Sequence, residues 1–253
     1  MKKDNIFMYM PELLEDLWSL GASLDSIVEI LKPLYMPTGN TNVLDLGCGK
    51  GAVSVTLAQK YNCIVLGVDN SKNFLRVAKK KARQHDVEDL CRFELIDIFD
   101  FLKKESKFDI VIFASLGGLL GNFRECIGRL RQMVYPNGYI VIDDGFSTGG
   151  SKIEEAGFEH FISHDDTIEQ LTSYGDVLLE EINTEREKSK INLQYLETIK
   201  RRAKQIIQRK PDLSETITRH IISQEKACEV LDKHVTGAIW LLQCNCDYSC
   251  KKF

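Results

Sequence analysis

Three carboxylates and a run of glycines define the chemistry open to this chain. In Val43-Leu44-Asp45-Leu46-Gly47-Cys48-Gly49-Lys50-Gly51 an acid interrupts a short apolar run, and glycines follow at every second position. A buried strand, a tight turn and a helix start in that order form a loop for a nucleotide cofactor. Glycine suits the turn because it accepts positive φ and lets a ligand touch the main chain. Asp69 ends a second apolar run, Cys63 to Val68, 20 residues after Gly49. A carboxylate placed there accepts hydrogen bonds from both hydroxyls of a ribose. Its alternative role is to cap the helix that begins near Ser71. Asp97-Ile98 closes a third apolar run, Cys91 to Ile96, and offers a second acid suited to an adenine amino group.

Those residues need a scaffold of strands ending on one side. Buried strands are expected over 42–46, 63–68, 91–96, 108–114 and 139–143, with helices over 51–60, 71–84 and 122–133 between them. Apolar strands alternating with helices imply a parallel sheet covered on both faces, with ligands outside the strands' carboxyl ends. Ahead of them, residues 11–36 carry leucines at helical spacing, broken at Gly21 and punctuated by Pro33 and Pro37. That segment, 1–40, reads as a helical cover for a sheet edge or for the mouth of a site. Beyond Asp144, Gly145 to Gly150 reads as a flexible connection, followed by a helix over 165–174 and a strand over 177–182. Two long polar-faced helices, 187–209 and 213–234, precede a final apolar strand, 236–242. The expected fold is α/β and Rossmann-like: seven mostly parallel strands, the last antiparallel, with a helical lid insertion over 187–235 between strands six and seven. One domain, 41–253, holds all of it.

Gly47-x-Gly49-x-x-Ala52 also fits a dinucleotide fingerprint, so a nicotinamide cofactor remains open to this point. Three features favour another cofactor. Asp45 would crowd a pyrophosphate but suits a cationic amino group. Asp97 supplies the adenine acid. The Pro136-Asn137-Gly138 turn and the late reversed strands extend the sheet in a manner unlike a dinucleotide domain.

The Val43–Gly51 stretch resembles the first motif of the class I S-adenosylmethionine-dependent methyltransferases. Gly67-Val68-Asp69-Asn70-Ser71 is similar to their second-strand acid motif and Leu95-Ile96-Asp97-Ile98 to their adenine motif. Phe108-Asp109-Ile110-Val111 and Tyr135-Pro136-Asn137-Gly138-Tyr139 look like their fourth and fifth strands. The layout past residue 145 is similar to that of bacterial small-molecule methyltransferases related to the quinone and fatty-acyl methyltransferases. The resemblance implies S-adenosyl-L-methionine as donor and S-adenosyl-L-homocysteine as product. It implies a cofactor-binding set of Asp45, Gly47, Cys48, Gly49, Gly51, Asp69, Asn70, Asp97, Ile98, Ser115 and Leu116. Asp45 would meet the methionine amino group, Asp69 the ribose, Asp97 and Ile98 the adenine, and Ser115 and Leu116 the methionine end.

The acceptor is not written in any motif. Asp144, His160 and His164 are candidate bases by position alone. Net charge is −4, with 18 Lys+Arg against 19 Asp+Glu in residues 1–150 and 15 against 18 beyond, so no general nucleic-acid surface is expected. The turn after strand four, Ala114 to Gly118, lacks the Asn/Asp-Pro-Pro-aromatic motif of enzymes that methylate exocyclic amines of DNA, and no Pro-Cys offers a cytosine nucleophile. The basic runs Lys79 to Lys81 and Lys200 to Lys204 read as wet helix faces. Cys244, Cys246 and Cys250 lack a fourth partner for a metal, so no metal is expected. No signal peptide or membrane span is read, and the scattered cysteines fit a reducing, cytoplasmic setting. The expected function is methyl transfer to a small molecule. A non-catalytic cofactor binder, or a subunit of an RNA-modifying methyltransferase, is the alternative.

Overall fold

The computed structural model describes residues 6–34, 36, 39–150, 153 and 155–245. Pro37, Cys246 and Cys250 lie outside them. Seven strands form one sheet in the order β3-β2-β1-β4-β5-β7-β6. They are β1 (Asn42–Leu46), β2 (Ile64–Asp69), β3 (Cys91–Leu95), β4 (Phe108–Ala114), β5 (Val134–Ser147), β6 (Val177–Asn183) and β7 (Val235–Gln243). The first five run parallel, and β7 is antiparallel to both β5 and β6. The expected architecture is therefore the observed one. Its topological switch lies between β1 and β4, where the strand order reverses, and the carboxyl ends there open a crevice.

Near-continuous apolar strands follow from cover on both faces. Leu44, Leu46, Val111, Phe113, Ile140, Ile142 and Trp240 share one core, into which α6 (Phe123–Leu130) sends Phe123, Ile127 and Leu130. Their sequence neighbours Val43, Ile110, Ile112, Val141, Ile239 and Leu241 fill the opposite core with α2 (Leu24–Leu31) and α3 (Ala52–Tyr61). Each such side chain contributes about 1.5–3 kcal/mol relative to exposure, so a one-residue slip of any strand is strongly opposed. Helix starts are set locally. The Ser71 hydroxyl accepts from Phe74 N–H at the head of α4 (Lys72–Gln84), and Asn122 with Glu125 forms a capping box for α6.

Two stretches depart from expectation. Residues 11–36 form only a single turn, α1 (Met10–Leu13), and then α2. Leu14 to Ser23 run irregularly because their carbonyls and side chains have partners elsewhere in the molecule, described below. Strand β5 is longer than expected, since Asp144 to Ser147 pair with β7 through Ala238 to Val235. Gly145 and Phe146 thus belong to the sheet rather than to a flexible connection; the antiparallel partner supplied by β7 has no local signal. The Pro-Asn-Gly turn survives as a bulge in β5, between the Phe108–Val134 and Ile110–Tyr139 pairs.

Helix α5 (Ile98–Phe101) follows β3, and α7 (His164–Leu171) precedes β6. The long pair α8 (Glu185–Arg209) and α9 (Ser214–His234) leaves from β6 and returns into β7. It packs on the N-terminal segment: Leu13 meets Ala203, Ile206 and Ile217, while Leu14 and Leu17 meet Ile199. Among the described residues no helix is long and apolar enough to cross a membrane.

Candidate active site

The glycine loop is stitched to its neighbours by backbone bonds. Gly47 and Cys48 N–H both donate to the Val68 carbonyl at 2.9 Å, at the carboxyl end of β2. Asp69 closes that junction. Its Oδ2 accepts from Gly49 N–H at 2.9 Å and its Oδ1 from Ser71 N–H at 2.7 Å, so one carboxylate ties the loop to the head of α4. The cap of α4 is Ser71 rather than Asp69, which instead holds the Ser71 N–H from a half-buried place at the rim. Burial raises its pKa and the two N–H donors oppose the rise. Asp45 lies deeper, 2% exposed, with Oδ2 accepting from Ser54 N–H at 3.0 Å and Ser54 Oγ at 2.5 Å. Burial pushes its carboxyl up to about 6, the Ser54 bonds pulling back and the Asp69 charge adding a little.

Gly47 is the centre of the cradle. Its φ is +76°, and a Cβ there would stand 2.6 Å from Leu116 Cδ1 and 3.3 Å from Ile98 Cδ1. The residues expected at the methionine and adenine ends therefore converge on one glycine from three strand ends. Gly51 differs: at φ +75° its absent Cβ would meet Ala78 Cβ at 2.8 Å and the Phe93 ring at 3.2 Å. Helix and strand packing sets that glycine. Cys48 turns its sulfur toward Gly67 of β2, where a Cβ would come within 2.9 Å. Asp97 is exposed and caps α5 by accepting from Phe99 N–H at 2.8 Å; Asn70 is exposed beside Asp69.

A polar knot that the sequence did not announce lies where β4 ends beside Asp143 of β5. Asp143, fully buried, accepts from Ser23 N–H at 2.7 Å and Ser23 Oγ at 3.0 Å, and pairs with Lys188 Nζ at 3.0 Å. Lys188 also donates to Ser115 Oγ at 2.7 Å and to the Gly21 carbonyl at 3.1 Å. The N-terminal segment, two strand ends and α8 meet in this cluster. A second tie runs from the loop itself, where Lys50 donates to the Leu14 carbonyl and, at 2.6 Å, to the Leu17 carbonyl. Those bonds satisfy the carbonyls that a continued helix would have used, which is why α1 stops. The only sequence clue was Asp143, an acid ending an apolar strand; its partners stand 120 and 45 residues away in the chain.

Beside the knot is a cavity of about 280 Å³, lined by Leu20, Gly21, Ser115 and Gly117 on the cradle side. Asp144, His160, Phe161, Lys188, Asn192 and Asp232 line the remainder, among others. His160 Nε2 lies 3.6 Å from Asp144 Oδ2, and both side chains are 10% exposed. Two of the three candidate bases are thus together. The third is not: His164 Nε2 bonds Glu181 of β6 at 2.9 and 3.0 Å, outside the cavity lining. The basic face of α8 is largely paired, Lys200 with Glu225, Arg201 with Asp16, and Arg202 with Glu15. Its field is correspondingly weak.

A family model described as a methyltransferase domain matches residues 37–233. The chain belongs to that methyltransferase family, and its fold is that of the class I S-adenosylmethionine-dependent methyltransferases. It is 28% identical over 135 residues to methyltransferase GfsG of Streptomyces halstedii, covering 50% of this chain and 48% of that protein. It is 33% identical over 97 residues to the ubiquinone biosynthesis O-methyltransferase of Coxiella burnetii, covering 38% of this chain and 40% of that one. The matched stretch thus spans less than half the length of these curated relatives. Among solved structures, a methyltransferase from Geobacter sulfurreducens in complex with S-adenosyl-L-homocysteine superposes with a TM-score of 0.76. Its sequence identity is 18%, and the match covers 93% of this chain and 97% of that one.

Proposed function

We propose that this enzyme transfers the methyl group of S-adenosylmethionine to a small-molecule acceptor held in the 280 Å³ cavity. One observation carries the reading: Ser115 and Gly117, which extend the cradle past β4, also form a wall of that cavity. The volume falls just below the usual range for small-molecule sites, which favours a compact acceptor over a polymer.

The residues fit the donor. Gly47 has no side chain where Leu116 and Ile98 approach, and Asp45, Asp69 and Asp97 stand at or just past the ends of β1, β2 and β3. Gly47 to Gly51 would bring backbone to the cofactor, with Cys48 contributing main chain. Asp69 beside Asn70 would take the ribose, Asp97 and Ile98 the adenine, Ser115 and Leu116 the methionine end, and Asp45 the amino group. When bound, the cofactor supplies an electrophilic methyl on a sulfonium that is already a good leaving group. The chain's own task is to align the acceptor and exclude water. Leu20, Gly21 and the α8–α9 pair roof the cavity and act as its lid.

Calorimetry with S-adenosylhomocysteine tests the donor assignment, with a nicotinamide dinucleotide as control. Tight binding of the former alone is expected, and Asp69→Ala should weaken it roughly 10- to 100-fold, the equivalent of a charged hydrogen bond. Unchanged binding in that variant would overturn the site. Labelled methyl transfer into a metabolite extract then tests the enzyme, since a mere binder of the cofactor yields no labelled product.

A further inference from the structure

His160 is nine-tenths buried and its Nε2 has no hydrogen-bond partner, yet it faces a carboxylate inside the proposed acceptor cavity. Its ring packs against Phe161, with centroids 3.9 Å apart, and lies edge-on to Phe123 at 6.4 Å. A Cβ on Gly118 would come within 3.1 Å of its Nδ1. Aromatic rings and backbone thus hold the imidazole where it serves no other side chain. An unpaired polar atom kept in such a place is destabilising, and a purely packing role would be better filled by an apolar ring.

We propose that His160 is the general base of the reaction, with the Asp144 carboxylate beside it, and that the acceptor is therefore a hydroxyl compound, a phenol, enol or alcohol small enough for the cavity. The proposal rests on the methyl-transfer function given above. A neutral amine or a thiolate attacks a sulfonium without a base, whereas a hydroxyl must lose its proton as it attacks. The acceptor oxygen forms the new C–O bond while the methyl–sulfur bond breaks, its electron pair staying on sulfur. The O–H proton passes to the imidazole, from which it leaves to solvent. Nε2, the ring nitrogen without a partner, takes this proton, and the Asp144 carboxylate 3.6 Å away faces the imidazolium that forms.

The other charges of the cavity do not compete. Lys188 is bound to Asp143, Asp232 accepts from Asn192 at 2.9 Å, and Glu185 is exposed on the first turn of α8. Across the cavity, Ser115 Oγ already accepts from Lys188. His160 is left as the group with an unspent nitrogen next to the methionine end.

Two measurements test this on the full chain. The first needs no methyl donor: 4-nitrocatechol is bound to the S-adenosylhomocysteine complex and its phenolate absorption is followed against pH. Wild type should show the bound phenol ionising at lower pH than in buffer. H160Q and H160N should bind S-adenosylhomocysteine as wild type does yet lose that shift, and D144N should reduce it. The second uses labelled S-adenosylmethionine with ring-matched phenols, anilines and thiophenols. Methyl ethers should form, with kcat falling about 10²- to 10⁴-fold in H160Q, the usual contribution of a general base. The rising limb of the rate against pH should vanish in that variant while KM for the donor holds. Ether formation retained within threefold in H160Q, products confined to amines or thiols, or no product from any acceptor while S-adenosylhomocysteine still binds, would each overturn the assignment. If S-adenosylhomocysteine does not bind, the methyltransferase reading fails first and this proposal with it.

Discussion

Replacing Asp45 with asparagine should make the protein more stable at pH 8 and worse at holding its cofactor. The carboxyl is 2% exposed, and burial lifts it from 3.8 in the unfolded chain to about 6 in the fold. A folded-state pKa above the unfolded one means that the ionised form is disfavoured by folding. Stability linked to this group is therefore greatest below pH 4 and is lost as pH rises through 6. The gap of about two pKa units corresponds to about 3 kcal/mol at pH 8. Asparagine avoids that cost and its carbonyl can still accept from Ser54 N–H, but the bond from Ser54 Oγ loses its charge assistance, a setback of about 1 kcal/mol. The net expected gain is about 1–2 kcal/mol at pH 8. For a chain of this size that is a rise of about 2–8 °C in melting temperature. Urea denaturation of both proteins at pH 8, 6.5 and 5 reads it directly, with the difference between them shrinking as the acid becomes protonated. A difference that is independent of pH, or a variant less stable at pH 8, would refute the argument from burial. Calorimetry on the same samples should show weaker binding of S-adenosylhomocysteine, because the charge retained at that cost is the one proposed to face the amino group.

The remaining predictions concern what ties the lid down. Lys188→Met leaves Asp143 buried without its cation and should cost about 3–5 kcal/mol in urea denaturation, whereas adding Asp143→Asn to it should recover a large part of the loss. Lys50→Met takes the ammonium donor from the Leu17 carbonyl and one of two donors from the Leu14 carbonyl, so amide exchange in residues 6–20 should quicken well before the sheet is affected. Gly51→Ala should destabilise by more than about 2 kcal/mol, since the new methyl meets the Ala78 methyl in a left-handed conformation. Gly47→Ala meets the movable tip of Leu116, so it should lower S-adenosylhomocysteine affinity more than it lowers the melting temperature.

The sheet was readable because each strand carries its own evidence. Val43 to Leu46 or Ile110 to Phe113 can be buried only if both faces are covered, and the acids at their ends mark where burial stops. The glycine loop and the acids beside it were readable for the same reason, lying within a few residues of a strand end. What escaped was long-range. The shortness of α1 is decided by Lys50, 33 to 36 residues away, which claims the carbonyls a helix would use. The extension of β5 is decided by β7, about 90 residues later. Asp143 and Asp144 look alike in sequence, yet alternation along β5 sends one to Lys188 and the other to His160. Only the folded neighbours separate a structural carboxylate from one beside an unspent nitrogen.

The α8–α9 pair leaves the sheet at Asn183 and re-enters at Val235, and Asn183 stands opposite Ala238 in the β6–β7 ladder. Its two roots are therefore neighbours, held by paired strands. Because the cost of closing a loop grows only slowly with its length, the far turns of this hairpin can be lengthened or trimmed with little effect on the sheet beneath. The first turns of α8 do not share that freedom, because Lys188 there pairs with the buried Asp143 of β5. Variation in such a chain is therefore expected at the far end of α8 and α9, with their roots held constant by one buried charge.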